Sequence, residues 1–109
     1  MSDKFQYAYP LEKLALALYG LAVGQGNLTS RLQSAFLSMH TLSPNDFPEE
    51  LRPDIVFVLD TLTSKEPRFQ GDGKLQATLD QMDDATSRQI AEKTVDLFIH
   101  LKELEVAGR

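Results

Sequence analysis

Apolar residues recur at helical spacing along most of the chain, and the longest uncharged stretch lies near the N-terminus. No charged residue occurs between Lys13 and Arg31. On a helix from about Pro10 to Val23, leucines fill one face and apolar side chains continue around most of the remaining circumference. A helix that is apolar on nearly every side is normally buried on nearly every side. We therefore expect residues 10–23 to form a central helix around which the chain is organised.

Four further segments show the same periodicity, and the residues between them are typical of helix ends. The predicted helices are 28–41, 53–64, 75–82 and 85–104. Asn27 is placed to cap the second helix, and Asp83 or Asp84 to cap the last one. Gly24 is expected to end the first helix in a left-handed conformation.

The segment 55–59 is the main ambiguity in the pattern. Its sequence, Ile-Val-Phe-Val-Leu, would suit a buried strand. A strand needs a partner, however, and no second convincing strand is present in the sequence. On a helix, Ile55, Val58 and Leu62 share one face, and we therefore predict a helix.

The predicted fold is all-α, a compact bundle of four to five short helices in a single domain over residues 1–109. Its length is sufficient to close one core without a metal or a disulfide. Residues 1–9 are expected to form an extended arm that carries Phe5, Tyr7 and Tyr9. Residues 65–74, with Gly71-Asp72-Gly73, are expected to form a mobile loop.

Composition narrows the range of partners. The chain has no cysteine, which excludes disulfides and thiolate chemistry. Its net charge is −5, and residues 46–109 hold fourteen acids and eight bases. Without a basic run, nucleic acid and membranes are not expected as direct partners. The N-terminus lacks a signal-peptide pattern, which favours a cytoplasmic protein.

The turn between the first two helices is a weak candidate for an anion site. Gly24, Gly26 and Asn27 precede a helix N-terminus, where free N–H groups attract anions, and Arg31 follows one turn later. Neither nucleotide-binding fingerprint is met, because no strand precedes the turn and no Gly-Lys-Ser/Thr follows it. A simple helix-hairpin turn explains the same residues.

Acidic residues in the second half form a candidate face for a partner protein. The set comprises Asp80, Asp83, Asp84, Asp96 and Glu103. Helix capping explains Asp83 and Asp84 equally well. Asp96 and His100 are spaced to share a helix face, but metal sites usually need three or four ligands. A solvated helix face explains this pair, and we predict no metal.

The excess of apolar residues on the first and last helices is the remaining candidate for a functional surface. Three or four short helices do not obviously cover a first helix that is apolar all round. Gly20 and Val23 on the first helix, and Val95 and Ile99 on the last, are the predicted interface residues. A homodimer would cover both helices.

These patterns favour a small, acidic, non-enzymatic protein-interaction module that self-associates or docks a protein partner. An accessory subunit, an antitoxin or an immunity protein would suit its size and charge. No catalytic residue and no cofactor is predicted. The alternatives are a small enzyme or ligand-binding protein with an anion or phosphate site near Gly24–Arg31, and a helix-turn-helix regulator. The second helix offers only Arg31 as a basic contact, which ranks the regulator last.

Overall fold

The computed structural model describes residues 6–67 and 73–108. In this part of the chain the secondary structure is entirely helical, which confirms the all-α prediction. The α-helices are α1 (Ala8–Val23), α2 (Leu28–Met39), α3 (Arg52–Leu62), α4 (Lys74–Asp80) and α5 (Asp84–Ala107). Two 3₁₀ turns, Pro44–Asp46 and Glu49–Leu51, connect α2 to α3.

Helix α1 begins earlier than predicted. Residues 1–5 lie outside the described part. Ala8 and Tyr9 already belong to the helix, so the prediction that residues 1–9 form an extended arm is wrong for these two residues. The helix can start here because the backbone N–H of Tyr7, its N-cap, donates to the carboxylate of Glu105 at 2.8 Å. Tyr7 packs against the core, whereas Tyr9 is exposed.

The expectation that α1 is buried on nearly every side is wrong. Its core face is a single stripe of Pro10, Leu14, Ala17 and Leu21. Leu16, Tyr19 and Val23 lie on the opposite side and are 49%, 68% and 56% exposed. The physical reason is that α1 packs mainly against two helices, α2 and α5, and two neighbours cannot enclose a helix.

Helices α1 and α2 form the predicted hairpin. Asn27 caps α2 by accepting a hydrogen bond from the backbone N–H of Ser30 at 2.9 Å. Near the turn the two helices approach closely: a Cβ added to Gly20 would lie 3.3 Å from the Cβ of Ser34. At the open end, the hydroxyl groups of Tyr9 and Thr41 lie 2.9 Å apart.

The connection from α2 to α3 is folded onto the core. Phe47 is 1% exposed and, together with Leu42, anchors this segment in the interior. The side chain of Arg52 donates to the carbonyl oxygens of Pro44 and Phe47 at 3.2 and 3.1 Å. Residues 55–59 lie within α3, so the ambiguity between strand and helix is resolved as a helix.

Helix α5 is the organising element, a role that the sequence pattern had indicated for α1. It is the longest helix and packs against α1, α2 and α3. Asp83 caps its N-terminus through the backbone N–H of Thr86 at 2.7 Å. The core cluster draws on every α-helix: Leu14, Ala17, Leu21, Leu32, Ala35, Met39, Leu42, Phe47, Leu51, Ile55, Val58, Leu62, Leu79, Ile90, Leu97 and Leu101.

Only the edges of the predicted mobile loop fall in the described part. Residues 68–72 lie outside it. At one edge, Lys65 donates its backbone N–H to the hydroxyl of Thr78 at 3.0 Å. At the other edge, Lys74 is already the first residue of α4, so the predicted loop does not extend to residue 74.

Candidate functional site

A groove of about 510 Å³ lies where α1, the start of α2 and the first half of α5 meet. Its walls are mostly apolar, and four charged side chains complete its lining. The apolar members are Leu18, Leu21, Ala22, Leu28, Ala91 and Val95; the charged members are Arg31, Arg88, Glu92 and Asp96. The volume lies within the range of roughly 300–1,000 Å³ typical of small-molecule sites.

The direction of the helices places the two arginines at one end of the groove. The hydrogen bond from Tyr7 to Glu105 joins the start of α1 to the end of α5, so these helices run antiparallel. Arg88 belongs to the first turns of α5 and therefore lies near the end of α1, where Arg31 also lines the groove. Glu92 and Asp96 follow one and two turns further along α5.

Arg31 is held by the helix that precedes it. Its Nη1 donates to the carbonyl oxygen of Leu21 at 2.8 Å, which satisfies one of the free carbonyl groups at the C-terminal end of α1. Its Nε is buried and has no hydrogen-bond partner among the described residues. The guanidinium group is therefore fixed in position but not fully hydrogen-bonded.

The predicted anion site in the turn is only partly assembled. Arg31 lines the groove, whereas Gly24, Gly26 and Asn27 do not. The side chain of Asn27 is already engaged by Ser30 and Thr29. Gly26 has φ +91°, so glycine is favoured there for its backbone conformation.

Gly24 has a structural role that differs from the prediction. Its φ of −65° is not left-handed, so that part of the prediction is wrong. A Cβ at this position would instead overlap the carbonyl oxygen of Gly20 and lie 3.1 Å from the Cγ of Arg31. Glycine is therefore required for space.

The predicted interface residues divide into two groups. Val23, Val95 and Ile99 are exposed, and Val95 lines the groove. Gly20 instead faces Ser34 of α2 within the same chain. It belongs to the contact between α1 and α2, where an added Cβ would lie 3.3 Å from the Cβ of Ser34 and would require the helices to shift by a few tenths of an ångström.

Leu16 and Tyr19 are exposed apolar residues that sequence reasoning missed as surface candidates. Tyr19 lies three residues after Leu16, and Val23 lies four residues after Tyr19. The three side chains therefore form one stripe along α1. The spacing was visible in the sequence. A second apolar stripe on the same helix, through Leu14 and Leu21, shows the same periodicity, so spacing alone does not separate the exposed stripe from the buried one.

The predicted acidic face is distributed over separate places. Asp83 is the cap of α5, and Asp80 accepts a hydrogen bond from Gln76 at 2.8 Å. Asp96 lines the groove beside α1. Glu103 lines a different cavity, of about 380 Å³, together with Glu50, Leu51, Asp54, His100 and Leu104.

The electrostatics of the cap at Asp83 are well defined. The backbone N–H and the side chain of Thr86 both donate to its carboxylate, and these hydrogen bonds hold the pKa of Asp83 below its ordinary value. This explains the residue as part of the helix end. No group of three or more His, Asp or Glu side chains within 6–67 and 73–108 is arranged to hold a metal ion.

Glu105 is the second residue that sequence reasoning missed. It is only 4% exposed although it lies between Leu104 and Val106 near the end of the last helix. Its carboxylate stands at the N-terminus of α1, where the helix dipole favours negative charge. No local pattern indicates this role, because its partner lies 98 residues away.

Comparisons with protein-family models, with curated proteins and with solved structures give no match for this chain. Within the described residues, no helix combines the length and the apolar character that crossing a bilayer requires.

Proposed function

We propose that this chain is an acidic protein-interaction module that associates with a second copy of itself through the outer surface of α1. The observation that supports the proposal is the exposed stripe of Leu16, Tyr19 and Val23. Large exposed apolar patches are uncommon on monomeric proteins and are typical of interaction sites. Val95 and Ile99 are further exposed apolar residues on the neighbouring helix α5.

The charge distribution favours a second copy over an oppositely charged partner. Helix α1 carries one acid and one base, Glu12 and Lys13, whereas the chain as a whole has a net charge of −5. Two copies that met through their acidic surfaces would repel each other. The outer surface of α1 is nearly neutral, so it can face an identical surface across a twofold axis.

The test is light scattering over a hundredfold range of protein concentration. We expect the wild type to reach a dimer mass and the double variant Leu16→Glu/Tyr19→Glu to remain a monomer, because two buried carboxylates at the interface would have no partners. Val56→Glu is the matched control. It places a charge on an exposed valine of α3, a helix that packs mainly against α4, α5 and the 3₁₀ turns.

A monomeric wild type at every concentration would overturn self-association. The same stripe would then be available to a different protein, the second possibility that the sequence raised. A dimer that persists in the double variant would locate the interface elsewhere on the molecule.

A further inference from the structure

We infer that the groove between α1 and α5 binds a single-chain carboxylate with an aliphatic tail, the chemical class of a fatty acid. This inference does not rest on self-association, since none of Leu16, Tyr19 and Val23 lines the groove; of the predicted interface residues, Val95 alone is shared with it. It assigns a small-molecule ligand to a site that lies beside the proposed protein interface.

The walls of the groove define the apolar part of the ligand. Ala22 and Leu18 of α1 face Ala91 and Val95 of α5 across a space of about 510 Å³. The small side chains of the two alanines leave the groove open. An aliphatic chain laid along it would replace water against these surfaces, which is the favourable term in apolar binding.

The arginine end of the groove defines the headgroup. Arg31 is fixed by its hydrogen bond to Leu21 and carries a buried Nε–H that has no partner within the described ranges. Arg88 lines the same end and forms no ion pair with any described residue. A guanidinium group is the preferred partner of a carboxylate, because its N–H groups match the two carboxylate oxygens.

The acids further along the groove restrict the ligand to one negative charge. Glu92 and Asp96 line the groove one and two turns beyond Arg88. A second carboxylate at the far end of the ligand would approach these side chains and be repelled. An uncharged chain end meets no such penalty, so the charges favour a monocarboxylate over a dicarboxylate of equal length.

The test is calorimetric titration of the full chain with dodecanoate, kept below the concentration at which it forms micelles. The comparison ligands are dodecanedioate and dodecyltrimethylammonium, which share the chain length but differ in charge. We expect saturable binding of one dodecanoate per chain and at least about tenfold weaker binding of both comparison ligands, the scale of one lost charged hydrogen bond. Equal binding of the cationic amphiphile would overturn the inference.

Variants locate the ligand in the groove. We expect Arg88→Gln to weaken dodecanoate binding about tenfold, whereas Lys102→Gln, which removes an exposed positive charge of the same helix outside the groove, leaves it unchanged. Ala22→Phe fills the groove and should abolish binding. Ala15→Phe is the matched control, because Ala15 is an exposed alanine on the same helix that does not line the groove.

Binding that survives in Ala22→Phe would contradict the assignment, as would the absence of saturable binding in the wild type. Light scattering on the same samples separates this inference from the proposed function. A monomer that binds dodecanoate through Arg88 contradicts self-association alone, and a dimer that does not bind contradicts the ligand assignment alone.

Discussion

Single side chains at helix ends account for much of how this bundle is joined together. Glu105 holds the start of α1 against the end of α5, Asn27 starts α2, and Asp83 starts α5. In each case an oxygen atom accepts a backbone N–H that the helix itself cannot satisfy. These residues join helices or define where they begin, so their removal should affect stability rather than binding.

Glu105→Ala tests the tie between α1 and α5. The substitution leaves the N–H of Tyr7 without its side-chain acceptor, and the expected loss is about 1–3 kcal/mol in the free energy of unfolding, measured in urea. Glu103→Ala, two residues away and exposed, is the control and should change stability by no more than about 0.5 kcal/mol. Equal effects of the two substitutions would show that the hydrogen bond contributes nothing.

Asp83 should make stability depend on pH in the acid range. Because the pKa of Asp83 is lowered in the folded state, its contribution is present above the ordinary pKa of an aspartate. This contribution to stability is lost as the pH falls through the lowered pKa of Asp83. Thermal unfolding of Asp83→Asn should therefore show a weaker decline at acid pH than the wild type does.

The control for this pH profile is Asp84→Asn, which changes a neighbouring exposed acid that is not the cap. The pH profile of Asp84→Asn should follow that of the wild type more closely than the profile of Asp83→Asn does. A profile of Asp83→Asn that coincides with the wild type would show that the cap does not titrate in this range.

At the scale of elements, the hairpin of α1 and α2 depends on both its turn and its cap. Asn27→Ala removes the acceptor for the N–H of Ser30 at the first turn of α2. We expect a loss of about 1 kcal/mol, typical of an N-cap, measured by chemical unfolding. The control is Asn45→Ala, because Asn45 lies in the 3₁₀ turn Pro44–Asp46 and caps no α-helix. An equally large loss of stability in this variant would argue against a capping role for Asn27.

At the scale of the whole molecule, charge and apolar surface would oppose each other in the proposed self-association. Two copies that each carry a net charge of −5 repel, whereas burial of the uncharged stripe of α1 would favour the proposed dimer. Raising the salt concentration from about 0.05 to 0.5 M shortens the Debye length and should strengthen the dimer, as measured by sedimentation equilibrium. Weaker association at high salt would instead indicate that opposite charges hold the copies together.

The sequence by itself predicted the helices, the cap at Asn27, and Asp83 or Asp84 as the cap of the last helix. These features depend on spacings of three and four residues and on hydrogen bonds within one turn, so they are local. The same reasoning separated helix from strand at residues 55–59, because no second strand was available to pair with that segment.

Only the tertiary structure decided which apolar surfaces are covered and which polar side chains are buried. Helix α1 has two apolar stripes, and only its packing against α2 and α5 shows that the stripe through Leu16 stays exposed. Likewise, Glu105 and Arg31 acquire their roles from backbone groups of α1 and its N-cap, 98 and 10 residues away. The periodicity of a helix shows which residues share a face, but the partner of that face depends on contacts between distant parts of the chain.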